Sequence, residues 1–253
     1  MTGRSHRSVF FAFSVILGAA IVGWVRPATS ILDLYDLSPE AGKKATLPAV
    51  LQEISGLATT PDGRLFAHND ERGAVFELDP TTGRVIKSFL VGALGARGDF
   101  EGIAIAGVRF FLVTSRGQIL EFREGEPASA VQFRVYELGL GSLCEMEGLA
   151  VDAEANTLLL PCKNPRRREL EGRLVVLSVP LDSLRLDPRP RISIPLKDLD
   201  ERGLGKNFHP SSIEVHPETQ ALILVAAREE AMVELSRDGE ILATRELKRR
   251  AHP

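Results

Sequence analysis

From residue 47 onward the apolar positions fall in short runs separated by Gly, Asp and Pro turns, and no helical period is sustained. The runs are phased. EISGLA from Glu53, DFEGIA from Asp99, EMEGLA from Glu145 and HPSSIE from His209 open four similar stretches, with Gly56, Gly102, Gly148 and Ser212 in register. The intervals are 46, 46 and 64 residues, and the longer one holds the Pro-rich VPLDSLRLDPRPRISIP as an insertion between strands. Each opening is followed by a turn and three more apolar runs: LFAHND, AVFELD and RVIKSFLVG in the first copy, LILVAARE, AMVELS and ILATREL in the fourth.

Four strands in about 45 residues, repeated, predict the blades of a β-propeller, because one such sheet cannot bury both faces until others stack on it. The fold class expected is therefore all-β, with four blades visible and five or more in a complete ring. Residues 47–253 form the propeller domain in this reading. Its last residues, His252-Pro253, repeat His209-Pro210, so the chain reads as truncated where a further blade would begin. Leu32 and Leu34 alternate with Asp33 and Tyr35, which predicts a first strand inside a linker at 26–46 that helps to complete the missing blade.

The N-terminus follows another pattern. After a basic segment at 1–7, Ser8 to Val25 is 18 residues without a charge, about 27 Å long as a helix and close to a bilayer core. Arg4 and Arg7 precede it, and Arg26-Pro27 spoils a small-residue cleavage site, so an uncleaved signal anchor is expected. The propeller would then sit on the periplasmic or extracytoplasmic side of the inner membrane. Composition adds little: 44% hydrophobic and 26% charged residues are ordinary, and a net charge of −3 argues against nucleic acid. Cys144 and Cys162 open the first and close the second strand of the third copy. Neighbours across a hairpin in an oxidising compartment, they are expected to form a disulfide.

In a propeller the repeat motif gathers carboxylates at the channel mouth. Asp99, Glu101, Glu145 and Glu147 are the candidate metal ligands, with Glu101 and Glu147 the first pair because they are equivalent in adjacent blades. Carboxylate oxygens suit a hard cation, calcium above all. His68, Asn69, Asp70, Arg116, Lys163, His209 and Arg228 join the same rim as candidate contacts to a small polar ligand. The alternative use of such glutamates is structural, pairing with Arg116 and Lys163 to lock blades together. No Gly-x-Ser-x-Gly elbow or phosphate loop occurs, and no catalytic residue is assigned.

EISGLA, HNDERGAVFELD, DFEGIAI with LVTSRGQILEF, CEMEGLAVD with LLLPCK, and HPSSIEVHP together resemble the SdiA-regulated family of exported β-propellers, over about Leu47 to Pro253. The resemblance implies five or six blades, the bacterial envelope, calcium in some members and no established reaction. A Gln-Pro-Glu-Gly-type blade start would follow the final His-Pro, and it is missing here. Three functions remain open at this stage: a membrane-tethered binding or sensing propeller, a metal-dependent hydrolase of esters, lactones or phosphoesters, and an envelope scaffold for other proteins.

Overall fold

A computed structural model describes residues 30–247 apart from 39, 42–44 and 188. The apolar run at 8–25 and the terminal His-Pro lie outside the described residues. Among the described residues no helix is long and apolar enough to cross a membrane.

The phased runs become four antiparallel sheets. Blade 1 is β1 (Ile54–Thr59), β2 (Leu65–Asn69), β3 (Ala74–Leu78) and β4 (Val85–Val91). Blade 2 is β5 (Phe100–Ala106), β6 (Arg109–Thr114), β7 (Gln118–Phe122) and, after the two-residue β8 (Ala130–Val131), β9 (Phe133–Glu137). β8 leaves its own blade and pairs in parallel with β4, tying blade 2 to blade 1. In blade 3 the inner strand is split into β10 (Cys144–Met146) and β11 (Ala150–Asp152). Both pair with β12 (Thr157–Pro165), followed by β13 (Arg173–Pro180) and β14 (Ile192–Pro195). The Pro-rich insertion is the β13–β14 connection, and a short helix α1 (Leu196–Asp200) leads on to blade 4. Blade 4 is β15 (Ser212–Val215), β16 (Leu222–Ala226), β17 (Ala231–Leu235) and β18 (Ile241–Glu246).

Blades pack face to face, which explains why the second strands read as unbroken apolar runs. Leu158 and Leu160 of β12 enter the core shared with blade 2, while Leu159 enters the core shared with blade 4. Between blades 1 and 2 the core is aromatic: Phe66, Phe89, Phe100, Phe110 and Phe122 are all buried, with Phe66 and Phe110 edge to face at 5.1 Å. The inner strands β1, β5, β11 and β15 stand side by side in that order.

Among the described residues, blades 1 and 4 each have a face that no other blade covers, and the N-terminal stretch covers parts of both. Leu51, from a 3-10 turn at Ala49–Leu51, packs on Ala67, Phe76 and Leu78 of blade 1. Ile31 and Leu32 are buried at blade 4, where Ser30 Oγ donates to the buried Glu234 carboxylate at 2.6 Å and Arg245 pairs with Asp33 at 2.5 Å. The expected strand near Leu32–Leu34 is instead a 3-10 turn, Ile31–Asp33, because the Ser30 hydroxyl accepts from Leu32 N–H and caps it. The stretch is a strap, with no strand among its described residues. Leu57 in the inner strand of blade 1 stays 54% exposed, marking the side where blades 1 and 4 do not meet.

The cysteines are bonded, with Cα atoms 5.4 Å apart in the hairpin of β10 and β12.

Candidate functional site

The repeated Glu-Gly works through a backbone irregularity. In β5, Phe100 pairs with Thr114 and Gly102 with Val113, so Glu101 is the extra residue of a β-bulge. Ser55 is the extra residue in β1, where Ile54 pairs with Asn69 and Gly56 with His68. In blade 3 the break between β10 and β11 falls on Glu147-Gly148, with Gly148 at φ +84°. A bulge turns a side chain out of the sheet's alternation, and Glu101, presented this way, feels the charge of Glu147. The glycines permit the approach. A Cβ on Gly102 would lie 2.6 Å from the Gly148 carbonyl carbon, and one on Gly148 3.0 Å from Ser212 Cα. Gly148 N–H donates to the Glu101 carbonyl at 2.8 Å, so neighbouring inner strands touch through backbone.

Around this crossing stands an acidic cluster with one cation. Lys163 Nζ bonds the Glu147 carboxylate and lies 3.9 Å from Glu145, while Asn164 donates to Glu145 at 3.0 Å. Burial works against the Lys163 ammonium, but the bond to Glu147 and the fields of Glu147, Glu145 and Glu101 together raise its pKa. Asp99 accepts from Ser115 Oγ at 2.5 Å. Glu101 has a long contact from Ser55 Oγ, 3.4 Å, and, among the described residues, no ion pair of its own. Burial first, then the charges of Glu147 and Asp99, push its carboxyl up to about 7, with Lys163 opposing in part.

The other predicted rim residues divide. His209 lies in blade 4, its Nδ1 2.6 Å from Glu229 Oε1 and its N–H donating to Oε2 at 3.0 Å. With Lys163, Lys197 and Lys206 it lines a cleft of about 500 Å³ between blades 3 and 4. Arg116 and Arg228 are exposed. Asn69 is occupied by a turn, its Oδ1 accepting from Arg72 N–H at 2.8 Å. His68 is fully buried beneath Gly56 and does not reach the rim, and burial lowers its pKa to about 4. Asp70 N–H donates to the Glu53 carbonyl, and its own carbonyl accepts from Phe100 N–H at 2.6 Å, a blade-to-blade tie. Ser115 and Asn164, which sequence reasoning passed over, complete the hydrogen bonding; Ser115 follows the end of β6 and Asn164 lies near the end of β12.

Calcium is suited to the donor chemistry of Glu101, Glu147 and Asp99. However, among the described residues no three His, Cys, Asp or Glu side chains converge as a ready metal cage, and Lys163 takes part of the place. What the cluster offers is a negative field in which, among the described residues, neither Glu101 nor Asp99 has an ion pair.

Scanned against protein families and against curated proteins, the sequence matches none. Among solved structures it is similar to Myxococcus xanthus glutaminyl cyclase, at 14% identity over 76% of this chain and 70% of that one, with a TM-score of 0.50. It is also similar to Kuenenia stuttgartiensis hydrazine synthase, at 14% identity over 81% of this chain and 51% of that one, TM-score 0.48. A β-propeller domain from Myceliophteria thermophila aligns at 12% identity over 72% of this chain and 51% of that one, TM-score 0.42. The chain thus spans about half the length of the latter two. At such identities a likeness concerns fold alone, and the four blades described above already carry that conclusion.

Proposed function

We propose that the chain is a binding propeller whose acidic channel mouth receives a small ligand carrying positive charge, a calcium ion being the simplest. The observation that carries this reading is Glu101. It is a bulge-presented carboxyl that feels the charges of Glu147 and Asp99 and, among the described residues, has no ion pair of its own. Burial is the main reason its pKa is raised, and a cation arriving there would stabilise the buried charged form as well as offset the fields of Glu147 and Asp99, which would contribute oxygens. The disulfide favours an oxidising compartment, and the uncharged run at 8–25 supports a membrane tether with the propeller exported.

The test is a thermal melt of the protein with and without calcium, repeated with a diamine. At about 100 times the dissociation constant, a specific site adds roughly 2.7 kcal/mol, on the order of 5–10 °C for a domain of this size. Binding near pH 7 also releases protons from Glu101, visible as a buffer-dependent heat. Both effects disappear in Glu101→Gln. A melting point indifferent to calcium and diamine alike refutes the reading and leaves the acids as blade-locking groups.

A further inference from the structure

At the end of the channel opposite the acidic mouth, all four blades wall a cavity of about 460 Å³. The repeat itself builds this wall. The second residue after each repeat glycine faces it, and in three blades that residue is a buried alanine: Ala58, Ala104 and Ala150. In blade 4 the equivalent position is Glu214. Ile103, Ile105, Leu149 and Val215 make the surroundings apolar, and a few polar groups, Thr59, Thr60 and Gln220, stand at its edge.

Glu214 therefore puts one carboxylate where the fold's own pattern calls for a methyl group. Its recorded bond is local, from Val215 N–H at 2.9 Å, and no ion pair among the described residues involves it. The side chain remains accessible through the cavity although protein crowds it on most sides. Glu214 is exposed to solvent, so its carboxylate stands as an accessible anion set among apolar side chains, open to a cationic group that can also pack on them. The volume lies within the range of small-molecule sites, roughly 300–1,000 Å³, which are mainly apolar with a few fixed polar groups.

We propose that this cavity is a second binding site, for a small apolar amine whose ammonium pairs with Glu214 and whose hydrocarbon body packs on the alanine, isoleucine and leucine walls. A divalent ion is disfavoured there, since a single carboxylate and apolar walls cannot replace its hydration shell. A neutral apolar molecule would leave the carboxylate unpaired. Burial raises the pKa of Glu214, and the Val215 bond opposes this, as expected for a carboxylate lacking a counter-ion.

The test uses phenethylamine and its near-isostere 2-phenylethanol with the whole chain, by calorimetry and by methyl NMR. The amine should bind roughly tenfold or more tighter than the alcohol, the usual worth of a charged hydrogen bond. Its binding should shift the methyl resonances of Ala58, Ala104 and Ala150. Glu214→Gln should bring the amine down to the level of the alcohol. Glu214→Ala, which restores the residue of the other three blades, should do the same and guards against a folding defect in the first variant. Equal affinities in the unmodified protein, no binding of either probe, a preference that survives both variants, or methyl shifts that avoid the cavity would each overturn the proposal.

Discussion

Glu101 behaves as it does because a bulge removes it from the alternation that would have placed it on a blade face. Its pKa near 7 makes it a pH-dependent source of instability. The folded state holds this proton more tightly than the unfolded chain, so the associated stability is complete below about 4.5 and is lost as pH rises through about 7. Glu101→Gln mimics the protonated acid. It should change the melting point little near pH 4.5 and raise stability at pH 8, on the order of 1–2 kcal/mol after allowance for solvent screening. A variant destabilised equally at both values would mean that the carboxylate is structural. Gly102 gives the complementary prediction. A Cβ there meets backbone of blade 3 at 2.6 Å, which cannot swing aside, so Gly102→Ala should cost about 2–3 kcal/mol in denaturant unfolding.

The element scale is where the sequence was most legible. Phased runs located the blades, and EISGLA, DFEGIA, EMEGLA and HPSSIE marked their inner strands, because strand alternation and turn residues are local properties. The Cys144–Cys162 bond was legible for the same reason, as a register within one hairpin. What local pattern could not show was which residue each strand skips. Whether His68 faces the mouth or the interior depends on the bulge at Ser55, and its full burial followed from packing under Gly56. Likewise, the Leu32–Leu34 alternation resembled a strand, but the Ser30 hydroxyl closed a 3-10 turn that needs no neighbouring strand. The disulfide closes a separation of 18 residues, so replacing both cysteines by alanine should lower stability by roughly 3 kcal/mol without altering the circular dichroism of the native state.

At the scale of the molecule, the four blades described leave two faces without a blade on them, and the described residues of 30–51 touch both. Leu32 and Leu51 belong to no strand yet are each 2% exposed. Leu32→Ala and Leu51→Ala should each cost about 2–4 kcal/mol, as core truncations do, whereas Leu34→Ala, at a position 66% exposed, should cost little. Two chemically different ends of one channel follow from the same repeat. Its Glu positions make the mouth acidic, and its Ala positions make the far end apolar except at Glu214.

The central claim is that the mouth holds a carboxyl awaiting a cation, and the most direct measurement is a carbon-detected NMR titration of the Glu101 carboxyl with and without calcium. The account predicts a midpoint near 7 in the free protein that falls toward the ordinary carboxylate range when calcium is added. A midpoint near 4.5 that ignores calcium would contradict it.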